Sequence, residues 1–348
     1  MLDDQNVIAQ RDTKDALGVA ANQWQQTEYA PSVEHPDNDG RPITNVVVAG
    51  MGGSALAALL VKTWLNQDLT MPFEVVRDYE LPSYVGQSTL VIASSYSGNT
   101  EETLQCLAGA TKAGAQLAII TAGGKLGAAA EAGSIACVKL PADFQPRMAM
   151  LYNLSALLTV LVHFGIVEQA KIDELRSIGP WLQDASSAWL TTVPESDNLA
   201  KQLAKKSAGK IPVIYGGGLT APAAYKWKIS WNENAKNVAF WNQYPEMNHN
   251  EFIGWTSHPI EKPFVIFDLI SPLEHPQTIK RFFASDQLLS GKRPAAVTVK
   301  LAGDTALKQL VWACILADFA SIYAAILNGV DPTPVELIEK LKLTLSGE

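Results

Sequence analysis

Short apolar runs alternate with stretches of helical period along the first half of the chain. Val46-Val47-Val48-Ala49, Phe73-Glu74-Val75-Val76, Thr89-Leu90-Val91-Ile92-Ala93, Leu117-Ala118-Ile119-Ile120 and residues 134–140 are predicted strands. Between them, residues 55–65 and 101–112 carry the spacing of amphipathic helices. Near-continuous apolar strands separated by helices predict an α/β fold, a mainly parallel sheet flanked by helices on both faces.

The second half repeats the pattern. Ile211-Pro212-Val213-Ile214-Tyr215 runs into Gly216-Gly217-Gly218-Leu219-Thr220 and a predicted helix over 221–232, echoing strand, glycine loop and helix at 46–65. Pro263-Phe264-Val265-Ile266-Phe267 stands where the first half has Thr89-Leu90-Val91-Ile92-Ala93. The chain therefore reads as two α/β/α sandwich domains related by duplication, 1–180 and 190–348, with the boundary near 170–195. Residues 1–27 read as polar helix packed on a domain surface, and 28–44 as loop. The apolar runs 151–167 and 310–327 contain Asn153, His163 and Asp318 and are expected to be buried helices rather than membrane spans. Asp331-Pro332-Thr333-Pro334-Val335 announces a last helix over 335–345. On its wheel Ile338, Leu341 and Leu345 form the expected buried face, with Lys342 inside that stripe and Lys340 opposite.

Composition narrows the function. The 348 residues are 47% hydrophobic and 18% charged, enough for two ordinary cores. A net charge of −8 without a basic cluster argues against nucleic acid, and an anionic ligand must be held by local donors. Cys106, Cys137 and Cys314 give neither a disulfide framework nor a metal pattern. With an acidic N-terminus unlike a signal peptide, these features predict a cytoplasmic protein with no membrane partner.

The candidate chemistry begins with Ser94-Ser95-Tyr96-Ser97-Gly98-Asn99-Thr100-Glu101-Glu102-Thr103, which joins a strand to a helix. Free backbone N–H groups and a helix dipole there suit an anion, and hydroxyls without a lysine suit a phosphate monoester. Gly50-Met51-Gly52-Gly53-Ser54 follows the neighbouring strand. It also fits the dinucleotide fingerprint, so an NAD-dependent enzyme competes. That reading leaves the hydroxyl loop unused, and its acid, Asp78, lies 28 residues past Gly50 where about 20 is usual. One sugar-phosphate site built from Ser54, Ser95, Ser97 and Thr100 uses both loops; the alternative is that the hydroxyls cap helices. Glu233, on a helix with Trp227 and Trp231, is a candidate general base. His249, among amides and carboxylates, is a candidate for proton transfer. Arg147, entering a helix after the last strand of the first domain, suits oxyanion stabilisation. Glu246, His249 and Glu251 lack the spacing of a metal site.

Taken in order, Gly-Met-Gly-Gly-Ser, Ser-Tyr-Ser-Gly-Asn-Thr-Glu-Glu-Thr, Pro-Arg, Asn-Glu-Asn-Ala-Lys, His-Asn-Glu and Asp-Pro-Thr-Pro-Val resemble the bifunctional phosphoglucose/phosphomannose isomerases of the sugar isomerase (SIS) superfamily. The resemblance implies two SIS-type subdomains and interconversion of glucose or mannose 6-phosphate with fructose 6-phosphate through a cis-enediol(ate), without metal or cofactor. It implies that Gly53, Ser54, Ser95, Ser97 and Thr100 hold the phosphate. Arg147 would stabilise the enediolate and Glu233 would move the proton between C1 and C2. His249, from the neighbouring subunit of a homodimer, and Lys342, with Lys340 in reserve, would assist ring opening. Thr333 is a candidate for tolerance of both C2 epimers. The chain departs from compact members by added length at 28–42 and 165–200, and by Ala317-Asp318 where Gly-Asp is expected. The remaining alternatives are another SIS-type isomerase and a non-catalytic sugar-phosphate sensor.

Overall fold

The computed structural model describes residues 1–37, 39–259 and 261–346. They form two compact units, residues 22–182 and residues 183–348 together with 1–21.

The first unit holds a five-stranded parallel sheet, β1 (Asn45–Ala49), β2 (Phe73–Val76), β3 (Thr89–Ser94), β4 (Gln116–Thr121) and β5 (Ala136–Lys139), in the order β2-β1-β3-β4-β5. Val46, Val48, Leu90 and Ile92 of one parity, and Val47, Ala49, Val91 and Ala93 of the other, are all buried. Both faces are therefore covered, as the unbroken apolar runs require. With α1 (Gln5–Arg11) and α2 (Ala16–Ala21) preceding it in the chain, the helices of this unit are α3 (Gly52–Trp64), α4 (Glu101–Lys112), α5 (Gly124–Gly133), α6 (Met150–His163) and α7 (Ala170–Ser177); α8 (Gly179–Ser187) leads out of it. Cys106 and Ala110 of α4 pack on Val47, Ala49 and Val91, while Leu126 and Ala130 of α5 pack with Ala93 and Ile119. Part of the 28–44 segment is tied to the sheet: Glu34 and Cys137 exchange backbone hydrogen bonds of 2.7 and 2.9 Å at the β5 edge.

The second unit has the sheet β6 (Ile211–Gly216), β7 (Phe240–Gln243), β8 (Phe264–Ile270) and β9 (Ala296–Lys300), all parallel, in the order β7-β6-β8-β9. This repeats the first four positions of the other sheet, so the duplication expected from the glycine loops is a repeat of strand order too. Its helices are α9 (Leu199–Ser207), α10 (Ala221–Glu233), α11 (Glu251–Gly254), α12 (Pro276–Leu288), α13 (Ala306–Asn328) and α14 (Glu336–Ser346). One sheet face meets α12 through Tyr215, Ile266, Ile270 and Phe282. On the other, Phe267 lies 5.6 Å from Trp227 and 5.7 Å from Trp231.

Two expectations are corrected. The N-terminal helices, placed with the first domain by the 1–180 boundary, belong to the second unit. Arg11 bonds the Ile326 carbonyl of α13, and Lys201 of α9 donates to Asp3 at 2.9 Å. The expected buried face of α14 is open instead: Ile338, Leu341 and Leu345 are 42%, 59% and 65% exposed. The apolar runs behave as expected. Ala306–Asn328, among the described residues the one helix long and apolar enough to cross a membrane, is the buried centre of its unit.

Candidate functional site

In the first unit the two loops singled out in the sequence leave the carboxyl ends of neighbouring strands. Ala49 and Ala93 are partners in the β1–β3 ladder, so Gly50 comes beside Ser94 and the two loops leave the sheet together. Close packing explains the glycines. A Cβ on Gly50 would meet the Ser94 carbonyl oxygen at 2.7 Å. One on Gly53 would meet the Pro146 carbonyl oxygen at 3.0 Å and Arg147 Cα at 3.7 Å. The backbone of Arg147 is thus brought against the Gly53–Ser54 turn, and its side chain is 5% exposed, with Nη1 donating to Gln145 Oε1 at 3.2 Å.

The hydroxyls are not consumed by helix capping. Thr100 is the N-cap of α4, yet its side chain makes no cap bond. Its Oγ1 instead lies 2.7 Å from Ser95 Oγ. Ser95 Oγ also accepts from the Gly98 N–H at 3.2 Å, and Ser97 Oγ from the Asn99 N–H at 3.3 Å. Gly98 has φ +69° and packs on the Gly123 carbonyl, where no side chain fits. The loop after β4 braces it: Leu126 N–H donates to the Gly98 carbonyl at 2.9 Å and Lys125 N–H to Asn99 Oδ1 at 3.0 Å. The result is a pre-formed turn whose hydroxyls and first-turn N–H groups suit an anion without a cationic side chain in the loop.

The second copy carries the same glycine loop after β6, but the chain fills it. Glu274, 8% exposed, comes from the loop after β8 and receives Leu219 N–H on both carboxylate oxygens at 3.0 and 3.1 Å. Burial raises its pKa, opposed by the N–H groups of Leu219, Thr220 and Gly218. Glu274 lies six residues past Asp268, as Asn99 lies six past Ala93, and Tyr215 pairs with Asp268 as Ala49 pairs with Ala93. A carboxylate of the chain therefore occupies the helix N-terminus in the copy that lacks the hydroxyl loop.

Glu233, half-buried, ends α10. Trp227 and Trp231 stack at 5.3 Å and are fully buried in the core. They lie well round the helix from Glu233, so the apolar surroundings expected from the sequence belong to the tryptophans. Lys236 joins Glu233 to the Thr333 turn, donating to the Glu233 carbonyl at 2.8 Å and the Pro332 carbonyl at 2.9 Å. His249 is exposed at the end of a short 3-10 turn (Glu246–His249). Its loop is held from both sides. Glu251 accepts from Asn242 at 2.7 Å and from the Tyr215 hydroxyl, and Asn248 donates to Ser285 at 2.8 Å. Glu251 is thus an anchor of this loop, a role its sequence neighbourhood did not signal.

Below that anchor lies a buried charged group. Arg293 sits 5.8 Å from the Tyr215 ring and 5.9 Å from Trp255, and reaches Asp286 at 3.4 Å. Asp268 is 2% exposed, and burial pushes its carboxyl up to about 7 despite the Arg293 charge. Lys342 is exposed and bonds Glu339 at 2.9 Å on its own helix; Lys340 is exposed as well. The wheel argument that singled out Lys342 thus loses its premise, because the stripe it belongs to is open.

The comparisons with known proteins bear on the same segments. The SIS domain family matches residues 41–166, and the bacterial phospho-glucose isomerase C-terminal SIS domain family matches 196–345. A bifunctional phosphoglucose/phosphomannose isomerase from Caldicellulosiruptor bescii is 38% identical over 306 residues, 87% of this chain and 90% of that protein. The chain belongs to this family. A second member, from Aquifex aeolicus, is 33% identical over 305 residues, 87% of this chain and 91% of that protein. In fold, the chain is similar to the crystal structure of a glucose-6-phosphate isomerase like protein from Thermus thermophilus, with a TM-score of 0.67 at 19% identity over 98% of both chains. The two-subdomain α/β architecture is that of the family, and both matched segments fall inside the two observed sheets with their helices.

Proposed function

We propose that the protein is an intramolecular oxidoreductase that interconverts glucose 6-phosphate and mannose 6-phosphate with fructose 6-phosphate through a cis-enediol(ate). The observation that carries this reading is the Ser95–Thr100 hydroxyl pair, uncommitted to capping, beside the Gly53–Ser54 turn. Neutral donors there hold the phosphate, the unreactive end of the sugar, with Gly53, Ser54, Ser95, Ser97 and Thr100 as its contacts. Glu233 takes the proton from C2 of the aldose and returns it to C1 while the O2 hydroxyl proton passes to O1, so the carbonyl moves from C1 to C2 and no electrons leave the molecule. The Arg147 guanidinium stabilises the charge that develops on the enediolate oxygen. His249, donated by the partner in a homodimer, and Lys342 move protons in ring opening, with Lys340 as the alternative; Thr333 contributes to acceptance of both epimers. A proton moved between adjacent carbons requires neither metal nor cofactor, and the cytoplasm is the compartment of its substrates.

The reading is tested on Glu233→Gln, which keeps the shape and removes the base. Its kcat should fall by at least ~100-fold while the KM for fructose 6-phosphate stays within about threefold of the parent, because the phosphate contacts are untouched. Parental activity in this variant would overturn the assignment of the base.

A further inference from the structure

Lys226, Ser230 and Asn234 recur every fourth residue on and just beyond α10, and so share one stripe of its surface. Facing them on α13 are Asp318 and Ser321. Lys226 Nζ donates to Asp318 Oδ1 at 2.6 Å, Ser230 Oγ to the same oxygen at 3.0 Å, and Asn234 Nδ2 to Ser321 Oγ at 2.9 Å. Ser321 Oγ donates in turn to the Asp318 carbonyl at 3.1 Å. None of the five residues is more than 2% exposed. Past the helix end, Asn328 donates to the Ala235 carbonyl at 3.2 Å, and Lys236 adopts φ +51°, a left-handed conformation rare outside glycine.

A buried ion pair is a poor device for stability alone, since apolar residues of the same volume often serve better. What it supplies is one defined rotation and register of one helix against another. Glu233 lies seven residues past Lys226, about 20° round the helix, and directly before Asn234. A carboxylate ~5–6 Å from the helix axis moves ~1 Å for each 10° of rotation, and a displacement of ~1 Å at a reacting group costs on the order of 100-fold in rate.

We propose that this polar ladder, with Asp318 at its centre, is the positioning element for Glu233. It holds the last turn of α10, which would otherwise fray, in the orientation proton transfer requires. The inference rests on Glu233 being the base, and the test separates the two. Ser321→Ala removes the hydroxyl that accepts from Asn234 and donates to the Asp318 carbonyl, and Asp318→Asn removes the central charge. Tyr323→Phe is the comparison: it deletes another buried bond of α13, from Tyr323 Oη to the Trp189 carbonyl at 2.7 Å, outside the ladder. Steady-state rates on fructose 6-phosphate and melting temperatures are measured for all three and for Glu233→Gln. The ladder predicts kcat about tenfold lower for Ser321→Ala, KM within twofold, and parental kcat for Tyr323→Phe even where its melting temperature falls as far. Parental kcat in Ser321→Ala, or an equal fall of kcat in Tyr323→Phe, would overturn the positioning role while leaving Glu233 as base. Parental activity in Glu233→Gln would remove the base itself. If Asp318→Asn does not fold, Ser321→Ala alone decides.

Discussion

Gly98→Ala probes the geometry of the hydroxyl turn with one methyl group. At φ +69° an alanine costs ~1–2 kcal/mol from backbone conformation alone. The added Cβ also falls on the Gly123 carbonyl oxygen, inside the 3.0 Å that real Cβ atoms keep. The two loops must therefore part by on the order of 1 Å in an interior packed without slack. Gly98 N–H is bonded to Ser95 Oγ and the Gly98 carbonyl to Leu126 N–H, so parting them carries the Ser95–Thr100 pair along. A hydrogen bond to a charged phosphate oxygen is worth ~1.5–3 kcal/mol, so losing one raises KM about 10–100-fold. Gly165→Ala is the control, with the same φ of +69° and no atom within 4 Å of its Cβ. The assays are KM for fructose 6-phosphate and thermal melting. Both variants should melt lower, and Gly98→Ala alone should lose affinity. KM within twofold of the parent for Gly98→Ala would refute the role given to the turn.

Glu274→Ala leaves the Gly218, Leu219 and Thr220 N–H groups without their buried acceptor and should cost about 3 kcal/mol, read as a fall of about 6–12 °C in melting temperature; a change below 1 °C would contradict it. Asp268 gives a pH signature. Its folded-state pKa of about 7 stands above the ordinary 3.8, so its contribution to stability is complete below that lower value and is lost as pH rises through 7. Between pH 5 and 8 the parent should lose melting temperature relative to Asp268→Asn, and parallel pH profiles of the two proteins would exclude the effect.

What the sequence disclosed follows from where the information is local. The central strands β1, β3, β6 and β8 are buried on both faces and stand out as apolar runs. The loops after β1 and β3 are legible because glycines and hydroxyls cluster within a few residues. The strands β7 and β9 escaped notice because, unlike the edge strands β2 and β5, they have almost no buried position to mark an apolar run, Phe240-Trp241-Asn242-Gln243 and Ala296-Val297-Thr298-Val299-Lys300. Asp318 registered as a polar residue inside an apolar run and in the Ala317-Asp318 departure, but not as half of an ion pair, since its partner Lys226 is 92 residues away. Glu274 could be found only by aligning the two copies and asking what stands in place of the hydroxyl loop. The helical wheel of α14 marks an apolar stripe, residues 338, 341 and 345, but a wheel does not say whether the stripe is covered. The N-terminal helices were legible as helices, but their attachment to the second unit depends on contacts with α9 and α13 far along the chain.

The central claim is that one chain isomerises both C2 epimers of a hexose 6-phosphate without added metal or cofactor. The direct measurement is the product mixture formed from fructose 6-phosphate, followed by NMR for the parent and for Glu233→Gln. Glucose 6-phosphate and mannose 6-phosphate should both accumulate with the parent, and both should be lost together in the variant. No turnover by the parent, or loss of one product with the other unaffected, would contradict a single site served by one base.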